Sequence, residues 1–446
     1  MSFHPNTEEV QQEMLNKIGV SNFEDLIKVI PQELRFMGDL NLPPELSEYE
    51  VIKLMQKYAS MNATSSSHIC FMGGGAYDVF VPSIVNMVID RSEFKTAYTP
   101  YQAEVSQGTL QAMYEFQSLI CNLTAMDIAN ASLYDGGSAL AEACLMSFAH
   151  NRKTEFLFAG TINPNYKRVI STICAGKNFT YKTFVQSDGT CDLEELEKNI
   201  SEKTSAVIVQ HPNAYGNLEE VEEIEKIAHS KGALFIVSAD PISLGILKAP
   251  GEYNADIVTG EGQSLGIPLS YGGPYLGIFA TKKDFVRKIP GRIAGVTLDA
   301  DGNKCFVLTL QTREQQIKRE KATSNICTNQ GLFMLAATVY MEAMGKAGIV
   351  EVAENSFHKA HYLAAKIKDI PGYSLLNDKP FFREFLVKTP VSPSIILEEA
   401  EKEGILGGID TNRFTECEPG LLIAVTEKRT KEEIDNYIDI LKKFSQ

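Results

Sequence analysis

Beyond about residue 106, stretches with helical spacing alternate with short runs of consecutive apolar residues. The helical stretches start with an apolar stripe after Ser106 and continue at about 139–150, 166–175, 192–200 and 218–230. The apolar runs between and after them are 156–158, 206–209, 233–237, 255–258 and 275–279. Continuous apolar strands that alternate with helices indicate a parallel sheet covered on both faces. We therefore predict an α/β fold with a mostly parallel sheet.

The two ends of the chain have different patterns. Residues 1–60 are polar with some helical spacing, which predicts a helical N-terminal arm. After residue 325 the pattern is helical again, at 331–345 and then at about 347–370. Two strand-like segments at 384–388 and 421–425 follow, with helices near 393–403 and 430–443. We expect three parts: the arm (1–60), a large α/β domain (61–325) and a small C-terminal α+β domain (326–446).

Charge and composition narrow the range of partners. The 446 residues carry a formal net charge of −15, and the pI is about 5.1. Nucleic acids and anionic membrane surfaces select basic faces, so we expect neither as a partner. The N-terminus lacks a basic region followed by an apolar run, and no apolar stretch approaches the length of a spanning helix. We therefore expect a cytoplasmic protein.

The eight cysteines are scattered through apolar segments and form no C-x-x-C pair. This pattern predicts reduced cysteines in a cytoplasmic core. A structural zinc site needs clustered thiolates and imidazoles, which the sequence lacks, so we expect no metal site.

Candidate chemistry lies directly after the apolar runs, since ligands of open α/β sheets bind beyond the carboxyl ends of the strands. His211 follows the run at 206–209, Asp240 follows 233–237, and the segment Glu261-Gly262-Gln263-Ser264 follows 255–258. Upstream, Asp135 and the small residues Gly136, Gly137 and Ser138 open a helix, where free backbone N–H groups can hold a phosphate. A plain helix cap is the alternative interpretation of this turn.

The combination is typical of fold-type-I pyridoxal-phosphate enzymes. In that layout an Asp after one strand keeps the pyridine nitrogen protonated, and a Lys beyond the next strand forms the Schiff base. Asp240 fits the first role, but Gln263 stands at the second position, and a glutamine amide cannot form an imine. Lys248 lies too close after the Asp strand, and Lys282 comes only after a further strand, the apolar run at 275–279. The pattern predicts a cofactor fold without its covalent anchor.

Three longer motifs carry a resemblance to a known family. They are TAYTPYQAEVSQG at 96–108, YDGGSALAE at 134–142 and TSNICTNQ at 323–330. With them the chain resembles the glycine decarboxylase P-protein family over nearly its whole length. Within that family it is most similar to subunit 1 of the split bacterial form, in which two different chains make the enzyme.

The resemblance implies a fold-type-I transferase fold and an activity shared with subunit 2, glycine dehydrogenase (aminomethyl-transferring). Together the subunits decarboxylate glycine, pass the aminomethyl group to the lipoyl arm of H-protein and release CO₂. It further implies that pyridoxal phosphate is bound by the partner subunit, that two copies of each subunit assemble, and that this chain alone is inactive. No catalytic residue is then expected here, and Gly136, Gly137, Ser138, His211, Asp240 and Gln263 would form a vestigial pocket.

Simpler roles stay open for several residues. Gln263 could be a structural loop glutamine, Asp240 a turn residue, and His211 a satisfied strand-end histidine. Tyr98, Tyr101, Gln102 and Glu104 lie in a proline-containing loop, and exposed tyrosines suit an interface. We expect this loop to lie at the subunit interface near the partner's active site, with ordinary loop packing as the alternative.

Two other functions remain as alternatives. One is a free-standing fold-type-I lyase or aminotransferase that uses Lys248 or Lys282. The other is a non-catalytic binding scaffold derived from the fold.

Overall fold

The computed structural model describes residues 6–445, and the chain divides into two compact units, with the boundary between Asn62 and Ala63. The first unit contains helices α1 (Glu8–Ile18), α2 (Phe23–Leu26) and α3 (Glu48–Ala59). Ser47 and Glu50 cap α3 reciprocally, which satisfies two backbone N–H groups at its start. None of these helices contains a buried residue. The division predicted at residue 325 lies inside the second unit and stays a prediction.

The second unit alternates strands and helices. Its strands are β1 (Ile69–Cys70), β2 (Ile128–Ala129), β3 (Glu155–Ala159), β4 (Thr180–Phe184), β5 (Thr204–His211), β6 (Leu234–Ala239), β7 (Ile257–Glu261), β8 (Gly277–Thr281), β9 (Ile293–Leu298), β10 (Lys304–Thr309), β11 (Ser374–Leu375), β12 (Glu384–Lys388), β13 (Ile405–Leu406), β14 (Ile409–Asp410) and β15 (Leu421–Ala424). Its helices are α4 (Ser83–Ile89), α5 (Ser92–Lys95), α6 (Gln107–Thr124), α7 (Gly136–Asn151), α8 (Pro164–Ile173), α9 (Leu193–Asn199), α10 (Val221–Ser230), α11 (Gln315–Lys318), α12 (Gly331–Lys368), α13 (Pro393–Lys402) and α14 (Lys431–Lys442).

The main sheet has the strand order β2-β8-β7-β6-β5-β3-β4, and β8 alone runs against the others. Alternate residues of β5 belong to two different core clusters: Val207 and Val209 to one, Ala206 and Ile208 to the other. Since side chains alternate between the faces of a strand, both faces of the sheet are buried. The predicted α/β class with a mostly parallel sheet is confirmed.

The C-terminal part contains a second, antiparallel sheet in the order β11-β12-β15-β14, with α13 and α14 packed against each other beside it. Both predicted strands, 384–388 and 421–425, are members of this sheet. The sequence pattern did not predict the hairpin β9–β10, and it placed β8 two residues too early.

Helix α12 is interrupted at Gly345, whose φ of 58° and ψ of −175° are open to glycine alone among the common residues. The two helices predicted at 331–345 and 347–370 correspond to its two halves. By length and composition this helix could cross a membrane. Its residues Tyr340 and Leu363, one from each half, are buried in hydrophobic clusters, as is usual for a core helix.

Candidate functional site

The carboxyl ends of β5, β6 and β7 lie side by side and border a small cavity of about 40 Å³, room for about three water molecules. Asp240 and Glu261 line it from the sheet. Tyr77 reaches it from the loop after β1, Tyr166 from α8, and Arg383 from the residue before β12. The cavity lies at the sheet edge that the sequence pattern indicated, and five of its lining side chains come from elsewhere in the chain: Tyr77, Tyr166, Phe382, Arg383 and Glu384.

Asp240 has two partners. Its Oδ1 accepts a hydrogen bond from the Ile242 N–H at 3.0 Å, which makes it a turn residue. Its Oδ2 lies 2.7 Å from Nη2 of Arg383, a side chain only 1% exposed. The Arg383 guanidinium also lies over the Tyr77 ring, 3.7 Å from its centroid. The aspartate is therefore already neutralised by a cation of its own chain.

Glu261 ends β7 and points at the first turn of α7. Its Oε2 accepts the Gly136 N–H at 2.9 Å, and its Oε1 accepts the N–H groups of Leu276 at 3.0 Å and Gln263 at 3.1 Å. Burial raises the pKa of Glu261 to about 8, against the lowering effect of these three donors. A carboxyl group thus occupies the N-terminal end of the helix, where an anion binds most readily.

Helix α7 begins at Gly136 and is capped by Asp135, whose Oδ1 accepts the Ser138 N–H at 2.7 Å. A Cβ atom at Gly136 would lie 2.7 Å from the Tyr166 Oη and 3.1 Å from Glu261, so only glycine fits here. The structure therefore shows the plain helix cap that the sequence left as an alternative. Gly137 follows in the same buried turn.

Gln263 is fully buried, and within residues 6–445 its amide bonds only to main-chain groups. Its Oε1 accepts the Tyr77 N–H at 2.8 Å, and its Nε2 donates to the carbonyls of Tyr77 at 2.9 Å and Ile267 at 2.6 Å. The side chain thus fastens the loop after β1 to the loop after β7. This is the geometry of a structural glutamine.

His211 is the last residue of β5, and its Nδ1 accepts the Glu219 N–H at 3.1 Å. Burial lowers its pKa to about 4, so the ring is neutral at pH 7. His211 is absent from the lining of the cavity, whereas its neighbours Pro212 and Asn213 contribute to it. The structure places it as a satisfied strand-end histidine.

Neither lysine of the alternative enzyme reaches the cavity. Lys248 is exposed and pairs with Glu222 at 2.7 Å. Lys282 follows β8, which runs antiparallel, so it lies at the opposite edge of the sheet, where its Nζ is 2.6 Å from the Oδ1 of Asp256. Among the described residues that line the cavity there is no lysine.

These contacts allow a direct test of whether pyridoxal phosphate fits the pocket. The cofactor needs an amine for its aldehyde, free N–H groups for its phosphate and a free carboxylate for its ring nitrogen. The pocket offers Gln263 in place of the amine, while Glu261 fills the helix end and Arg383 pairs with Asp240. The residues present do not fit the cofactor.

The loop that contains the expected interface residues is exposed. Tyr98 is 91% and Tyr101 47% exposed, and Gln102 and Glu104 are exposed as well. Tyr101 contacts Gln316 through its hydroxyl and receives the Arg292 guanidinium over its ring, 5.6 Å from the centroid. Beside it, Tyr98 and Arg292 line a cavity of about 190 Å³. A role of this loop at a subunit interface stays a prediction.

Sequence reasoning missed four residues of the site: Tyr77, Tyr166, Arg383 and Glu384. Glu384 accepts the Gly74 N–H at 2.6 Å and the Tyr77 hydroxyl at 3.0 Å, and burial raises its pKa to about 7. The only signal for two of them was the charged pair Arg383-Glu384 at the start of an apolar strand.

The cysteines and metal-binding residues give no further site. All eight cysteines are free thiols. Within residues 6–445, no group of three or more His, Cys, Asp or Glu side chains is placed to hold a metal ion.

Comparison with known proteins gives full-length matches. Residues 1–441 match the family model for the glycine cleavage system P-protein. The chain is 53% identical over 444 residues to the "Probable glycine dehydrogenase (decarboxylating) subunit 1" of Chloroherpeton thalassium, covering 100% of both chains. It is 54% identical over 442 residues to the protein of the same name from Prosthecochloris aestuarii, covering 99% of both.

Comparison with solved structures leads to the same family. A crystal structure of glycine decarboxylase (P-protein) of the glycine cleavage system, in inhibitor-bound form, superposes with a TM-score of 0.90 at 40% identity and covers 100% of both chains. The glutamate decarboxylase of Lactobacillus brevis, at 12% identity, a TM-score of 0.68 and coverage of 92% and 95%, shows the fold alone. The fold is that of the fold-type-I pyridoxal-phosphate-dependent enzymes. The chain belongs to the glycine cleavage system P-protein family.

Proposed function

We propose that this chain is the lysine-free subunit of a two-chain glycine decarboxylase in the glycine cleavage system. Together with subunit 2 it decarboxylates glycine, transfers the aminomethyl group to the lipoyl arm of H-protein and releases CO₂. The names of its relatives and its family support the activity. The observation that carries the division of labour is Gln263, whose amide is bonded to Tyr77 and Ile267 where the fold would place a lysine.

Under this proposal pyridoxal phosphate is bound by subunit 2, and this chain contributes structure to the complex. Tyr98, Tyr101, Gln102 and Glu104 form part of the contact with subunit 2, because an exposed tyrosine ring gains from burial while its hydroxyl keeps a hydrogen bond. Two copies of each subunit assemble in the cytoplasm, and neither nucleic acid nor membrane takes part.

The test is glycine–bicarbonate exchange with purified proteins. This chain alone, supplied with pyridoxal phosphate, is expected to show no exchange, and addition of subunit 2 is expected to produce it. Exchange by the isolated chain would contradict the proposal. So would a pyridoxyl group on Lys248 or Lys282 after borohydride reduction and peptide mapping.

The interface is tested with a matched pair of exposed tyrosines. Tyr98→Ala is expected to weaken binding to subunit 2, measured by sedimentation, because it removes a ring that is 91% exposed in the free chain. Tyr271→Ala removes a ring that is 75% exposed in another loop and serves as the control. Equal binding by the two variants would remove the assigned loop from the interface.

A further inference from the structure

The pocket at the carboxyl ends of β5, β6 and β7 contains two side chains, Glu261 and Arg383, that already bind the groups a pyridoxal phosphate would need. We propose that this chain closes its own cofactor pocket: the Glu261 carboxyl group replaces the phosphate at the N-terminus of α7, and the Arg383 guanidinium replaces the ring nitrogen on Asp240. The inference deepens the proposed function by naming the residues that exclude the cofactor from this subunit.

The first half rests on the environment of Glu261. A phosphate at a helix N-terminus is held by backbone N–H groups, and here those of Gly136, Leu276 and Gln263 converge on one carboxyl group at 2.9–3.1 Å. Glu261 is only 9% exposed, so no solvent competes strongly for these donors. A phosphate could take this position only if the carboxyl group left it.

The second half rests on Arg383. Its Nη2 lies 2.7 Å from Asp240, and its guanidinium carbon lies 3.7 Å from the centre of the Tyr77 ring. Asp240 therefore already has its positive partner, while the planar guanidinium is stacked on an aromatic face as a cofactor ring would be. Separating the two groups would leave a buried guanidinium without its counter-charge, which is costly.

Tyr77 links the surroundings of Arg383 to Gln263, the residue at the position of the Schiff-base lysine. Its backbone N–H and carbonyl bind the Gln263 amide, and its hydroxyl donates to Glu384 at 3.0 Å. The loop after β1 is thus fixed over the pocket by the residue that stands in the lysine position. The remaining space of about 40 Å³ is far below the roughly 300 Å³ of ordinary ligand sites.

The experiment uses the full-length chain without subunit 2, with pyridoxal phosphate and inorganic phosphate as probes. The wild-type chain is expected to show no saturable uptake of pyridoxal phosphate in equilibrium dialysis. Inorganic phosphate should raise its melting temperature no more than it raises that of the control variant Glu142→Ala. Saturable uptake by the wild type would overturn the proposal, whatever the variants do.

Glu261→Ala removes the carboxyl group and frees its three N–H donors. We expect a lower melting temperature that saturating phosphate raises by about 4 °C more than in the control. The control is Glu142→Ala, which removes another buried carboxyl group, on the same helix α7 but away from the pocket. It corrects for the general stabilisation of proteins by phosphate. Equal responses of the two variants would overturn the first half.

Arg383→Met, combined with Glu261→Ala, frees Asp240 as well. Saturable uptake of pyridoxal phosphate is expected in this double variant and not in Glu261→Ala alone. The matched control combines Glu261→Ala with Arg429→Met, since Arg429 is a buried arginine that pairs with Asp78 outside the pocket. Uptake by neither double variant, or by both alike, would overturn the second half.

These outcomes are separate from those of the proposed function. If subunit 2 does not restore glycine–bicarbonate exchange while the wild-type chain takes up no cofactor, the proposed function fails and the closed pocket stands. If exchange is restored while the wild-type chain alone takes up cofactor, the closed pocket fails and the activity stands.

Discussion

Gln263 shows how the type of residue at one position determines both its possible chemistry and its structural contacts. A lysine would bring an amine that needs a reaction partner, whereas the glutamine has one acceptor and two donors, and three backbone groups use all of them. A glutamine cannot form an imine, and the hydrogen bonds of Gln263 fix two loops. Its importance is therefore expected in stability.

Gln263→Ala tests this role. The substitution leaves the Tyr77 N–H and the carbonyls of Tyr77 and Ile267 without their partner in a fully buried place, at a cost of about 3 kcal/mol in the free energy of unfolding. Urea unfolding measures the loss. Gln111→Ala, at an exposed position of α6, is the control and should stay within about 0.5 kcal/mol. A similarly small loss at Gln263 would contradict the structural role.

The histidines provide a second prediction at the scale of single residues. Burial lowers the pKa of His211 to about 4, so its ring signals in NMR spectra should not titrate between pH 5.5 and 8. His229 is the internal comparison, since its hydrogen bond to Asp256 raises its pKa above 6.5 despite partial burial. Titration of His211 near pH 6.5 would show that its ring is exposed to solvent.

At the scale of elements, helix α7 depends on two carboxyl groups that have separate tasks. Asp135 binds the Ser138 N–H and Glu261 binds the Gly136 N–H, so two of the free donors in the first turn are satisfied. One is a local cap that sequence alone predicts, and the other comes from a strand 125 residues further on.

Asp135→Ala removes the local cap and is expected to lower the free energy of unfolding by about 1 kcal/mol. Asp135→Asn keeps a side-chain oxygen that can accept the Ser138 N–H, so it should cost a few tenths of a kcal/mol. The difference between the two variants in urea unfolding isolates the capping bond. Equal losses would assign the effect to the charge of Asp135 instead.

The elements also show what the sequence could and could not predict. The carboxyl ends of β5, β6 and β7 lie at one edge because parallel strands share a direction, so this part of the site followed from the apolar runs. Tyr77, Arg383 and Glu384 reach the same cavity through contacts between residues 143 to 310 positions apart, and no local spacing encodes such contacts. The hairpin β9–β10 was missed although Asp301-Gly302 is a turn signal between its strands.

For the whole molecule, the buried acids are a common feature with a measurable consequence. Burial raises the pKa of Glu142, Glu219 and Glu384 to about 7 and that of Glu261 to about 8, from an ordinary value of 4.5. At pH 7 the first three are therefore protonated in about half of the folded chains and Glu261 in most of them, whereas all four are almost fully ionised in the unfolded chain. Folding at neutral pH is therefore coupled to proton uptake.

The sign of the pH dependence follows from this coupling. A carboxyl group with a raised pKa contributes stability that is lost as pH rises from its unfolded value of 4.5 through its folded value, here up to about 8. His211, with its lowered pKa, acts in the opposite direction, but only between about 4 and 6.5. His229, with its raised pKa, adds to the loss above 6.5. Between pH 6.5 and 8 the acids and His229 act together, so stability should fall.

The urea midpoint of the full chain, measured at steps from pH 6.5 to 8, should therefore decrease. Glu261→Gln removes the group with the highest of these pKa values while keeping an acceptor for the Gly136 N–H, so its midpoint should fall less steeply above pH 7. Glu142→Gln removes a group with a pKa of about 7, so it should flatten the dependence of the midpoint on pH mainly below pH 7. A wild-type midpoint that rises between pH 6.5 and 8 would mean that these carboxyl groups are ionised in the folded chain, and that the donors around Glu261 outweigh its burial.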